Sequence, residues 1–334
     1  MILVTGGTGL VGSHLLYHLT QNNDQIFAIY RSEEKLQSTK KVFSYYTNNI
    51  EKEFSKISWL KADITEIPAL QEVFSKPITK VYHCAALVSF DPKDYLTMRK
   101  INIEGTANIV NFCIAHNVTK LCYVSSIAAI GDAINNNIVT EENDWVDNGN
   151  KHGYAITKYG AEMEVWRASQ EGVDVVIVNP GVILGGGFFK EGSGKLFDQI
   201  YKGFKFYTEG VTGFVGVKDV VNSMIQLMKS DIKNERFILV AENKSFKSLF
   251  FTIADTFNVK RPSIKISPLL TSIFWRLDWI VTKITGKAPM LTKNSAKSSH
   301  NREEYSSEKI KKALNFSFES LDIVIKTVCK EYLL

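Results

Sequence analysis

Thr5-Gly6-Gly7-Thr8-Gly9-Leu10-Val11-Gly12 follows the apolar run Ile2-Leu3-Val4 and leads into an amphipathic stretch over residues 11–20. A strand that turns through glycines straight into a helix is the opening unit of a nucleotide-binding βαβ fold. Gly6 is placed for a tight turn, Gly9 for close approach of the backbone to a pyrophosphate, and Gly12 for close packing of the helix on the sheet. Phosphates would meet the unpaired N–H groups of the helix start. Gly6, Thr8, Gly9, Leu10, Val11 and Gly12 are therefore candidate cofactor contacts.

Beyond this loop, short apolar runs alternate with helical patterns. Strands are expected over residues 2–5, 25–30, 57–61, 80–83, 120–125 and 173–178, with helices between them, such as 102–116 and 154–171. The alternation predicts an α/β, doubly wound parallel sheet of the Rossmann type. Ligands of such sheets bind beyond the carboxyl ends of the strands. Polar, small or turn-forming residues gather at each of these six ends, among them Tyr30-Arg31-Ser32, Ala62-Asp63-Ile64, Cys84-Ala85-Ala86, Ser125-Ser126 and Asn179-Pro180-Gly181. Residues 1–180 plus about 211–242 are expected to form the dinucleotide-binding domain. About 181–210 plus 243–334 are expected to form a smaller, mainly helical substrate-binding region, opened by the glycine-rich loops Gly185-Gly186-Gly187 and Gly192-Ser193-Gly194.

The chain has 334 residues, 45% hydrophobic and 22% charged, with a net charge of +5. This suits a globular protein and no nucleic-acid partner. Cys84, Cys113, Cys122 and Cys329 show no paired or ligand spacing and read as reduced core thiols. The six histidines form no metal-site pattern, so no metal is expected. No signal peptide and no membrane-spanning run is apparent, so a cytoplasmic location is expected. Leu269, Leu270, Ile273, Phe274, Leu277, Ile280, Val281 and Ile284 recur at helical spacing within 268–285. Packing on the second domain is the expected use of that helix; a peripheral membrane contact is the alternative.

Tyr154-Ala155-Ile156-Thr157-Lys158 puts a phenol and an ammonium on one face of a helix. A nearby cation favours the ionised phenol, which makes Tyr154 a candidate general acid/base with its pKa lowered by Lys158. At the end of the second strand no carboxylate precedes Glu33. Arg31 can instead pair with a 2′-phosphate and stack on adenine, which favours NADPH over NADH, with NAD as the alternative. Asp63 is placed to reach the adenine amino group.

Together with Asn102-Ile103-Glu104-Gly105-Thr106, His83-Cys84-Ala85-Ala86 and Tyr123-Val124-Ser125-Ser126, these motifs resemble the extended short-chain dehydrogenase/reductases, the epimerase/dehydratase superfamily. The resemblance covers residues 1 to about 240, with a weaker match at 303–316. Residues 81–90 and 305–309 look most like a bacterial branch related to dihydroflavonol reductases and 3β-hydroxysteroid dehydrogenases. The resemblance implies that Ser126 (with Ser125 as its nearby competitor) hydrogen-bonds the substrate carbonyl, that Tyr154 is the acid/base, and that Lys158 holds the nicotinamide ribose. It makes Asn102 a holder of the active-site helix and a proton-relay water. It adds Ile64, Ala85, Ala86, Asn179, Pro180 and Val182 to the cofactor contacts, and implies a monomer or a homodimer pairing residues 98–116 and 154–171.

The same catalytic set serves reductases, epimerases and dehydratases. Nucleotide-sugar members usually carry a diphosphate-gripping arginine where this chain has Thr212, although Lys205 or Lys218 could substitute. Ile127-Ala128-Ala129 offers no extra acid/base for a dehydratase. The expected activity is an NADPH-dependent reductase or dehydrogenase of an apolar or aromatic small molecule. The alternatives are a nucleotide-sugar epimerase/dehydratase with tightly bound NAD, and a non-catalytic NADP-binding protein.

Overall fold

The computed structural model describes residues 1–22, 25–133, 138–146, 151–285 and 292–334. Twelve strands occur among them: β1 (Ile2–Thr5), β2 (Ile26–Tyr30), β3 (Ile57–Lys61), β4 (Lys80–His83), β5 (Lys120–Val124), β6 (Asp174–Pro180), β7 (Val182–Leu184), β8 (Phe206–Tyr207), β9 (Val211–Gly216), β10 (Glu235–Leu239), β11 (Glu242–Ser245) and β12 (Ile264–Lys265). Seven form one sheet in the order β10-β6-β5-β4-β1-β2-β3, with every neighbouring pair parallel. Both faces are covered, so the central strands are near-continuous apolar runs instead of alternating. All five residues of β5 and all four of β1 are buried.

On one face Leu15, Leu16 and Leu19 of the Leu10–Thr20 helix meet Val220, Met224 and Leu227 of the Val217–Lys229 helix over the sheet. On the other, Ile109 and Val110 of the Gly105–Ala115 helix join Ala161 and Val165 of the Gly153–Gln170 helix. The strand order reverses at β1, which lies between β2 and β4. That opens a crevice at the carboxyl ends, beside the glycine loop.

The chain leaves the large sheet at Gly181, where a Cβ would stand 2.3 Å from the Gly213 carbonyl oxygen. Only a glycine lets β6 pass so close to β9. Here the structure departs from expectation. The segment around Gly213 does not rejoin the large sheet; β9 lies between β7 and β11 in a separate three-stranded sheet. The return is made by the Val217–Lys229 helix and then by β10 against β6. A third core, with Phe197, Phe214, Leu249, Ile253, Leu321 and Ile325, ties the later helices to that small sheet.

Candidate active site

The glycine loop closes through the Gly9 N–H, which donates to the Gly6 carbonyl at 3.0 Å. Gly6 has φ +67°, and a Cβ on it would stand 2.6 Å from the Ala85 nitrogen. A side chain is therefore excluded twice, by backbone conformation and by the end of β4. Gly12 packs on the loop itself and not on the sheet as expected; its Cβ would meet the Gly6 oxygen at 2.2 Å. Gly12→Ala is expected to spread the loop, lowering dinucleotide affinity at least ~10-fold, a factor worth ~1.4 kcal/mol. Titration by protein fluorescence checks this, and unchanged affinity would refute it. No side chain caps the helix that begins at Leu10, which leaves its N–H groups available to a pyrophosphate. A Cβ on Gly9 would meet nothing closer than 3.4 Å. The loop thus fits a dinucleotide.

Arg31 and Asp63 stand at the adjacent ends of β2 and β3, with Nη1 and Oδ2 3.4 Å apart. Burial pushes the Asp63 pKa up, but hydrogen bonds from the Thr65 N–H (2.9 Å) and hydroxyl (2.8 Å), together with Arg31, outweigh it and hold it low. The Arg31 side chain is 57% exposed, so little holds it away from an incoming anion. Ile64 is buried under Gly105, Ala85 is half-buried and Ala86 is exposed. Pro180 is buried and Val182 half-buried.

Tyr154, Thr157 and Lys158 lie on the first turns of the Gly153–Gln170 helix. His152 caps that helix by accepting the Ala155 N–H at 3.2 Å, and its ring stacks 6.1 Å from Tyr154. Phe90 completes a cluster of three rings, 5.9 Å from Tyr154 and 5.5 Å from His152. Tyr154 itself is half-buried. The protein atoms crowding it push its pKa up to about 12, and the Ser126 hydroxyl, in hydrogen-bonding reach, opposes the rise. The expected lowering by Lys158 is therefore not found. The Lys158 ammonium is turned inward, donating to the Tyr123 hydroxyl at 2.6 Å and the Val124 carbonyl at 2.8 Å. Burial brings its own pKa down to about 7, against the pull of Glu162.

The two serines are distinguished by their surroundings. Ser125 is buried and its hydroxyl donates to Glu162 at 2.5 Å. Ser126 faces Tyr154, and its oxygen accepts the Ala128 N–H at 3.1 Å. Asn102 is buried, in a turn of π-helix (Arg99–Glu104). It exchanges two hydrogen bonds with the Leu87 backbone and donates to the Thr157 hydroxyl at 3.1 Å. It thereby fixes the active-site helix to the segment after β4. Asn179 is wholly buried behind the site, donating to the Ser126 carbonyl at 3.1 Å and to Glu162 at 2.8 Å. Its amide nitrogen braces the wall, and its buried Oδ1 has no hydrogen-bond partner among the described residues.

Sequence reasoning missed Tyr123, His152, Thr157, Glu162 and Arg236. Glu162 is fully buried and accepts from Ser125, Asn179 and Arg236, the last at 3.1 Å. Arg236 of β10 also donates to the Glu141 carbonyl. The one available signal was spacing: Ala155, Lys158, Glu162 and Val165 share a buried stripe, where two charges have no place unless partnered.

Comparison with known proteins shows the family. A family model described as male sterility protein matches residues 4–232. The chain belongs to that family. Its relatives include an anthocyanidin reductase of Arabidopsis thaliana, 27% identical over 72% of this chain and 76% of that one. Sterol demethylase protein B of Methylococcus capsulatus is 24% identical over 80% and 78%. Among solved structures, gox2253 superposes with a TM-score of 0.81 at 23% identity, covering 100% of this chain and 98% of that one. The UDP-glucose 4-epimerase of Thermotoga maritima gives 0.75 at 18%, covering 99% and 98%. This member of the male sterility protein family is an NAD(P)-dependent enzyme of the epimerase/dehydratase superfamily, with dihydroflavonol-reductase-like relatives. Several of its relatives are named as reductases.

Proposed function

We propose that the chain is an NADPH-dependent reductase or dehydrogenase interconverting a carbonyl and an alcohol on an apolar or aromatic small molecule. The observation that carries this reading is the convergence of Ser126 on Tyr154 within a wall formed by Phe90 and His152. An aromatic wall favours a flat apolar substrate. Thr212, half-buried in β9, offers no charge-assisted grip on a diphosphate. Of the two lysines that could replace an arginine there, Lys218 lies 5.5 Å over the Tyr46 ring and beside Glu331.

The nicotinamide supplies or accepts the hydride when bound. Ser126 and Tyr154 stabilise charge on the substrate oxygen, and Tyr154 holds the transferable proton at its hydroxyl. Lys158 orients the site from behind through Tyr123, and the family resemblance supports it as the residue that holds the ribose. Arg31 at the end of β2 favours the phosphorylated dinucleotide. A panel of aromatic ketones, steroids and nucleotide-sugars, followed by NADPH and NADH oxidation, tests the whole reading. NADPH is expected to bind at least ~10-fold tighter than NADH, and Arg31→Ala to abolish that preference, since a bidentate phosphate contact contributes ~1.5–3 kcal/mol. Tighter NADH binding by the native protein would overturn the cofactor assignment. Epimerisation of a nucleotide-sugar would overturn the substrate assignment.

A further inference from the structure

Residues 260–302 hold nine of the forty lysines and arginines and one of the thirty-five acids. The rest of the chain has 31 basic and 34 acidic residues. All of the net positive charge therefore resides in this one segment.

At its centre is the Pro268–Thr285 helix, whose burial is inverted. Thr271 and Thr282 are 4% and 8% exposed, whereas Leu269, Ile273, Leu277 and Ile280 are 73%, 47%, 52% and 47% exposed. The threonine side faces the protein: Thr271 bonds the His300 ring at 2.7 Å, and the helix packs on the Lys293–Ser298 helix. With ~100° between successive residues, Leu269, Leu270, Ile273, Phe274, Leu277 and Ile280 fill an arc of about 140° on the outward side. The side chain of Ile284 lies outside the described residues. Phe274 meets the Phe206 ring at 6.1 Å, but the remaining apolar side chains of the arc are exposed, so most of the expected stripe does not pack on the second domain. Arg276 and Lys283 border the arc on one margin. The Arg276 guanidinium is 4.7 Å from the Trp275 ring, and the Lys283 ammonium is 4.2 Å from the Trp279 ring. An apolar arc edged by tryptophans and cations matches the boundary between lipid headgroups and acyl chains. No helix among the described residues is long and apolar enough to cross a membrane, so the helix would lie on the surface. A second copy fits less well, because antiparallel pairing of the two arcs would bring one basic margin against another.

We propose that the Pro268–Thr285 helix docks the protein on an anionic bilayer, apolar arc in the acyl boundary and basic margin against lipid phosphates. Co-sedimentation of the full chain tests this, using vesicles of phosphatidylcholine alone or mixed equally with phosphatidylglycerol. Binding to the mixed vesicles is expected, with blue-shifted tryptophan emission. It should weaken as salt shortens the screening length from ~10 Å at 0.1 M to ~3 Å at 1 M. Leu277→Glu/Ile280→Glu should lower the partition coefficient at least ~10-fold with an unchanged melting temperature, since both side chains are exposed. Arg276→Glu/Lys283→Glu should lower it on the mixed vesicles alone. Absence of native binding, or equal binding by the Leu277/Ile280 variant, would overturn the proposal. So would a native dimer that this variant dissociates.

Discussion

Tyr154→Phe is expected to lose about two or more powers of ten in turnover while binding the dinucleotide as the native protein does. The change removes one oxygen and leaves the ring packed beside His152 and Phe90, at centroid distances of 6.1 and 5.9 Å. The helix cap at His152 and the Asn102–Thr157 hydrogen bond do not involve that oxygen. Loss of turnover with retained folding would thus report the hydroxyl's own chemistry, proton transfer and stabilisation of the substrate oxygen. Burial holds the Tyr154 pKa up at about 12, so the phenol is a proton donor at neutral pH, as carbonyl reduction requires. The measurement compares steady-state rates of variant and native protein on whichever carbonyl compound the native protein reduces, with dinucleotide affinity from fluorescence titration. A fully active variant would remove Tyr154 from the chemistry.

Glu162→Ala should destabilise the protein by ~3–5 kcal/mol, the usual cost of removing one partner of a buried ion pair. Arg236, 17% exposed, would keep its charge but lose its ion-pair partner, and the Ser125 hydroxyl and Asn179 amide would each lose an acceptor. The effect should reach the chemistry as well, since Asn179 also bonds the Ser126 carbonyl. Glu162→Gln keeps an acceptor for Ser125 or Asn179 and should lose less. Urea denaturation of both variants is the check. A change below ~1 kcal/mol for the alanine variant would show that the network is not a structural support.

The large sheet was legible because each expected strand is an apolar run bounded by turn residues. Three of the six were placed to the residue and the others to within two. The seventh, β10, was hidden: it opens with Glu235-Arg236 and follows a helix, so only its last residues read as a strand. The loop and Tyr154–Lys158 were visible as local spacings. The Glu162–Arg236 pair joins residues 74 apart in the chain, a distance over which no local pattern operates. Periodicity also revealed the stripe in the Pro268–Thr285 helix but not its direction, because an apolar arc looks the same whether it meets protein or lipid.

The order of the large sheet has a consequence for synthesis. Six of its strands have been translated by Pro180, yet the partner that completes the outer edge of β6 ends only at Leu239. At ~5–20 residues per second the ribosome needs about 3–12 s to cover those 59 residues. Throughout that interval the nascent domain presents a buried-type strand with one unpaired row of backbone N–H and C=O groups, the feature through which chains associate wrongly. The stretch of chain that builds the small sheet thus also delays protection of the large one.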